Sequence, residues 1–235
     1  NRRVSFFRSD GEFLRSFLVP GLHHNVSIAL MPGDTLVLIC GLEFNAQFMI
    51  EEGSRIVHVY THTGHYIRSF HEVGSRATKI EGIAALNLFN STVRVDSQGH
   101  IYVVEASEYQ VTRYDTSGQN ATTLIKTVPA YFHPIHEPIP LDAFGRGWET
   151  HNWWKEKPRH YIIFFYLLPK GFVLVARTTT PSFYTLDVYD YDGNPIKTGI
   201  QTDLRLAGTD YRGRFYFLKI NPSGGYFLYR YTLKK

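Results

Sequence analysis

Sulfur is scarce in this chain. Its 235 residues hold one cysteine, Cys40, and two methionines, so no disulfide can form within it. Cys40 lies in the apolar run Leu36–Cys40 and reads as a small buried hydrophobe. Apolar runs long enough to cross a membrane as a helix are missing too; Tyr161–Leu168 is far too short and reads as an innermost strand. No block of five Lys or Arg occurs. The formal charge of +4, with a pI near 9.0, therefore serves solubility and leaves no nucleic-acid footprint. H-E-x-x-H, G-x-S-x-G, a Gly-rich phosphate loop and paired cysteines are all lacking, which removes the usual signatures of zinc proteases, serine hydrolases and nucleotide enzymes. No signal peptide is visible. The compartment is open, with a slight preference for an exported or periplasmic protein.

Aromatic residues, by contrast, are plentiful: 17 Phe and 16 Tyr in a chain that is 43% hydrophobic. That composition suits half-buried strands and gives enough material for the core of one domain. The stretch Val93–Lys126 shows how the strands are arranged. Val93–Val95, Ile101–Glu105, Val111–Asp115 and Ala121–Lys126 are short apolar runs separated by the turns Asp96-Ser-Gln-Gly99 and Thr116-Ser-Gly118. This reads as one antiparallel meander.

The meander repeats. Gly11, Gly64, Gly118 and Gly193 each follow a hydrophobic residue by seven positions (Val4, Val57, Val111, Leu186) and an aromatic by four (Phe7, Tyr60, Tyr114, Tyr189). The earlier turn recurs as Met31-Pro-Gly-Asp34, Asp96-Ser-Gln-Gly99, Leu168-Pro-Lys-Gly171 and Asp210-Tyr-Arg-Gly213. Recurring four-stranded units predict an all-β fold, a β-propeller of four-stranded antiparallel blades. In chain order they are a half-blade at 1–18, full blades at 26–72, 93–126 and 161–200, and a three-stranded blade at 203–233. These make five blade positions in one domain spanning 1–235. The pattern of half-blade and three-stranded blade further suggests a ring of six with residues upstream of Asn1.

The combination D-x-x-G, apolar strand, V-x-x-Y-D-x-x-G resembles the NHL-like, six-bladed β-propeller superfamily. That resemblance covers most of the chain. It implies the fold; for function it implies a choice among binding scaffolds, lyases, and lactonases or phosphotriesterases with a central calcium.

The repeat also sorts the loops. Turns after first and third strands are short; the irregular sequence collects after second strands and between blades, at Gly41–Arg55, His71–Ser91, Pro129–His160 and Arg177–Phe183. Sites tend to be built on long loops carried by a rigid face. Pro129–His160 is an inter-blade insertion with five prolines, four histidines and all three tryptophans. Prolines at 129, 134, 138 and 140 keep its first half extended. Trp148, Trp153 and Trp154 either wall a ligand pocket or pack beneath the loop. His133 and His136 with Glu137 match no metal signature, and no zinc is expected there. His58, His62 and His65 are expected to face solvent.

Six residues past the first-turn glycines stand Glu105, Arg177 and Lys219, each ending an otherwise apolar strand. They pair with neighbours, or they form a polar ring that holds a ligand. The calcium reading has only Glu105, Glu43, Asn221 and Asn87 as oxygen donors, and Arg177 and Lys219 oppose it. The expected function is therefore non-enzymatic: a propeller binding a partner protein or a small polar ligand through Glu105, Arg177, Lys219, Trp148, Trp153 and Trp154, with no cofactor. Two alternatives remain open, a calcium-dependent hydrolase and a structural subunit of a larger assembly.

Overall fold

A computed structural model of the chain describes residues 3–19, 21–43, 50, 53–75, 78, 80, 82–83, 85, 90–144, 152–156, 159–179, 183–210, 212–220 and 225–232. The fold is all-β and propeller-like in its repeating unit. Five antiparallel sheets follow one another along the chain, each a meander in which sequential strands pair. The first is the hairpin β1 (Arg3–Phe7) and β2 (Phe13–Leu18). The second comprises β3 (Leu22–Leu30), β4 (Leu36–Glu43), β5 (Arg55–Thr61) and β6 (Tyr66–Glu72). The third comprises β7 (Thr92–Val95), β8 (Ile101–Val104), β9 (Val111–Tyr114) and β10 (Ala121–Thr123). The fourth has β11 (His160–Leu168), β12 (Gly171–Thr178), β13 (Tyr184–Tyr189) and β14 (Pro195–Thr202). The fifth has three strands, β15 (Arg205–Thr209), β16 (Arg214–Ile220) and β17 (Tyr226–Thr232). An α-helix, α1 (Asn152–Glu156), lies inside the insertion.

Two compact units divide the chain: Asn1–Val103 with Thr112–Thr122, and Val104–Val111 with Thr123–Lys235. Within the first, Val4, Val19, Val37, Ile39 and Tyr60 pack the opening hairpin onto the second sheet. Within the second, Val173, Val175, Leu186 and Val188 of the fourth sheet pack on Leu206, Phe215 and Phe217 of the fifth. Full burial of such side chains contributes about 1.5–3 kcal/mol each.

The repeat-marking residues take the places that their chemistry demands. Val57, Val111 and Leu186 are buried, and so are Tyr60, Tyr114 and Tyr189; Phe7 is 58% exposed. In the third-strand turns the glycine amide closes on the carbonyl three residues back, as in Gly64 to Thr61 at 2.9 Å and Gly193 to Asp190 at 3.1 Å. In the first-strand turns Asp96 and Asp210 do more. The Asp96 carboxylate accepts from the Gln98 and His100 amides, the His100 ring and the Tyr102 hydroxyl. Asp210 accepts likewise from the Arg212 and Arg214 amides, the Arg214 guanidinium and the Tyr216 hydroxyl. Partial burial acts to raise both carboxyls, but these donors outweigh it and hold Asp96 and Asp210 below the ordinary range.

The third-strand turns also meet the preceding sheet. A Cβ built on Gly64 would stand 2.5 Å from the Phe17 side chain on β2, and one on Gly193 would stand 2.2 Å from the Leu124 carbonyl just past β10. Both glycines have φ near the left-handed region, +91° and +83°. Two demands therefore coincide at one position: a backbone that side chains strain, and a contact that side chains block. The sequence predicts a strand to Lys126; β10 ends at Thr123, and Leu124 and Ile125 beyond it are buried, 3% and 6% exposed.

One sequence expectation is corrected here. His58 does not face solvent. Its strand is covered on both faces, leaving it 2% exposed, with Nε2 3.0 Å from the Gly41 carbonyl.

Gly193→Ala should lower stability by about 3 kcal/mol or more, combining left-handed strain of roughly 1–2 kcal/mol with an overpacked seam. Gly11→Ala, at φ +91° with nothing within 4 Å of the added carbon, should lose only the strain. Urea denaturation of both variants checks the ordering; equal losses would show that the seam contributes nothing.

Acid should act through the turn aspartates. Asp96, Asp115, Asp190 and Asp210 all have lowered carboxyl pKa values. A lowered acid contributes stability above its unfolded value, and that contribution is lost as pH falls. Circular dichroism should therefore show the sheets persisting to about pH 4 and melting progressively below it.

Candidate functional site

The insertion is built from the residues upward as a strap held from beneath. Its prolines prevent regular pairing, yet every third or fourth side chain points inward. Phe132 is 4% exposed, and Ile135, Ile139 and Ala143 are fully buried, while His133, His136 and Pro138 between them are exposed. Three contacts tie its first half to the residues that close it. Trp154 on α1 is 1% exposed and donates its indole N–H to the Ala143 carbonyl at 2.8 Å. Glu137 meets the Arg159 guanidinium at 2.5 Å. Burial acts to raise the Glu137 carboxyl, and the Arg159 bond and charge together with the Glu137 and His136 amides more than reverse it. His160, at the start of β11, exchanges two bonds with His133: its amide donates to the His133 carbonyl at 2.8 Å, and its ring Nδ1 accepts from the His133 amide at 3.1 Å.

A buried carboxylate supplies a further attachment. Asp187, in the middle of β13, is 0% exposed. A buried carboxylate must find donors, and this one has three. Tyr109, from the β8–β9 connection, donates to Oδ2 at 2.6 Å, and Tyr131 of the insertion donates to the same oxygen. Gly199 gives its amide to Oδ1 at 2.7 Å. A bulge makes the last bond possible. Leu186 pairs with Ile200 and Val188 with Lys197, so two residues of β14 face Asp187 and the Gly199 amide is released from the ladder. Tyr189 extends the network, its hydroxyl 2.7 Å from that of Tyr109. Burial first, and the nearby carboxylate, push the Tyr109 and Tyr131 phenols far up; burial carries Tyr189 to about 12. All three stay protonated: Tyr109 and Tyr131 as donors to the carboxylate, Tyr189 as the partner of the Tyr109 hydroxyl.

The residues singled out from sequence fall around this frame. Glu105 directly follows β8 and is half-buried; its neighbour Ala106 accepts from the Ile162 amide at 2.8 Å. Arg177, also half-buried, lies opposite both Tyr161 and Tyr184, with its guanidinium 5.8 Å over the Tyr184 ring. Glu105 and Arg177 thus flank the start of β11, beside the strap. Lys219 stands elsewhere, exposed on β16 opposite Phe227. Of the tryptophans, Trp154 takes the packing role and Trp153 is half-buried, edge-on to it at 4.8 Å; Trp148 lies outside the described residues.

Two grooves occur in the same unit. One, of about 380 Å³, is lined by Leu124, Ile125, Pro129, Tyr189 and Pro195 with Lys126 and Asp192. The other, of about 280 Å³, lies between Leu186, Val188 and Ile200 and the rings of Phe215, Phe217 and Tyr231. Neither contains Glu105, Arg177 or Lys219. Among the described residues no three His, Cys, Asp or Glu side chains converge as a metal site requires. Of the calcium donors considered from sequence, Asn87 and Asn221 lie outside the described residues, as does the side chain of Glu43.

The Asp187 node was not found from sequence, although a signal exists: an acid between Leu186 and Val188 at the centre of an apolar strand. Tyr131→Phe should cost about 1.5–3 kcal/mol, the usual loss for a bond to a charged group, and Asp187→Ala should cost more because three donors lose their acceptor. Denaturation midpoints test the ranking. Protease cleavage within 129–144 should rise in both variants; a strap that stays resistant in Asp187→Ala is held by other contacts.

No family model and no curated protein matches the chain. Among solved structures, a protein from Lactobacillus plantarum determined by a structural genomics consortium is similar over 97% of this chain, at 11% sequence identity and a TM-score of 0.38. The chain spans 63% of that protein's length.

Proposed function

We propose that this chain is a non-catalytic binding module of the six-bladed, NHL-like kind, and that it holds a partner protein against the strap and the neighbouring Glu105 and Arg177. One observation carries the reading. The strap is ordered by its underside, so its outer residues His133, His136 and Pro138 are presented in a fixed arrangement. A surface ordered beforehand loses little entropy on association, and proline-rich backbone adds to that economy. Glu105 and Arg177 supply charges of both signs beside it, which suits selective recognition more than a deep pocket for one small molecule.

The test uses a photo-crosslinking amino acid at His136 in cells producing the protein, with Lys197 on the exposed face of β14 as the control position. A discrete adduct at 136 and none at 197 is the expected result. Adding Arg177→Ala should weaken that partner's binding by about 1–3 kcal/mol while leaving melting nearly unchanged, provided the guanidinium meets a charged group. Loss of melting temperature with full binding would make Arg177 a structural residue. Adducts at both positions would remove the strap as the site. Turnover of lactones or phosphotriesters by the purified protein with calcium would replace this reading with the hydrolase one, and binding confined to a small polar ligand would move it to that class.

A further inference from the structure

The bond between His160 and His133 is one that a proton can break. Its acceptor is the bare Nδ1 of His160, and its donor is the His133 backbone amide, 3.1 Å away. The residue is 5% exposed. Around it stand the rings of Tyr131, Phe132 and His133, with centroids between 5.6 and 5.8 Å distant. A proton on Nδ1 would turn the acceptor into a second donor aimed at the amide, inside a cage of rings that includes another imidazole.

We propose that His160 is an acid-operated latch for the 129–144 strap: neutral, it holds the His133 amide and keeps the strap docked; protonated at Nδ1, it releases it. The idea rests on the binding reading above and names the regulation of the same surface.

The charged and titratable groups around His160 leave a proton there poorly compensated. From the strap come the His133 ring, which would repel it, and the Tyr131 phenol, whose proton is committed to Asp187. From β13 comes Asp187 itself, with both oxygens occupied. From the β8–β9 connection comes Tyr109, another donor to that carboxylate. From β12 the partner across the ladder is Thr178, which carries no charge. The neighbouring Glu137 and Arg159 neutralise one another. Burial, then the nearby His133, lowers the His160 pKa from 6.5 to about 4. A base lowered in this way favours the docked state above its solution value, and that preference is lost as pH falls from 6.5 toward 4. The turn aspartates lose their charge below that window, so the sheets outlast the strap.

Hydrogen exchange on the purified chain alone reads the latch. Protection of the His133 and His160 amides, corrected for intrinsic exchange, should fall on the order of 50-fold between about pH 7 and about pH 4.5. The Leu174 amide, inside the fourth sheet, should not change. His160→Asn keeps an acceptor at the Nδ1 position without titrating, and its strap should hold constant protection across the range. Protection that stays constant in the wild type, or that falls equally in His160→Asn, overturns the latch. If that variant does not fold, an NMR titration of His160 in the wild type decides: a midpoint near the solution value while His133 stays protected also overturns it. Because no partner is present, a failed latch and a failed binding reading are separate results.

Discussion

The structure depends on turns that can approach a neighbouring sheet without a side chain in the way. At Gly64 and Gly193 the backbone turns in a conformation that L side chains resist, and the space a methyl group would fill is already taken, by Phe17 and by the Leu124 carbonyl. Fewer atoms here give more contact. The aromatic four residues earlier, Tyr60 or Tyr189, is buried by the same approach. A repeat that looks like punctuation in the sequence is thus a docking element in space, and the meanders are held at their corners as well as by their faces.

That explains which parts could be read in advance. The strands are set off by turn residues and apolar runs, both local properties, so the order of strands from Arg3–Phe7 to Tyr226–Thr232 is legible in the residues themselves. Contacts that depend on a neighbour are less so. Nothing around Ala121–Lys126 announces that the strand stops at Thr123, or that a turn seventy residues later packs against the Leu124 carbonyl. Trp153 and Trp154 lie on a helix too short to show periodicity. His58 reads as polar and therefore solvated, yet it is enclosed because both faces of its strand are covered. For the site, Glu105 and Arg177 are legible as charges ending apolar strands. Asp187 is harder to see, because its meaning comes from two phenols contributed by separate loops.

Asp187 also shows how an irregular insertion can be ordered with little secondary structure. Apolar side chains at 132, 135 and 139 bring the strap down, but apolar contact alone fixes no register. Direction comes from the hydrogen bonds: one phenol to one carboxylate oxygen, one amide to one ring nitrogen, one indole to one carbonyl. Each is buried or nearly so, where a missing partner costs more than a present one contributes. The strap is therefore discrete in position even though its backbone follows no ladder.

The distribution of tryptophan has a practical consequence. All three indoles of the chain fall between positions 148 and 154, inside the insertion. Emission excited at the red edge of the indole band thus reports on the insertion alone, while far-ultraviolet dichroism is dominated by the sheets. With Trp154 enclosed and Trp153 set edge-on against it, loosening of the insertion would shift emission to longer wavelength with the dichroism unchanged. The protein carries its own spectroscopic reporter, confined to the insertion.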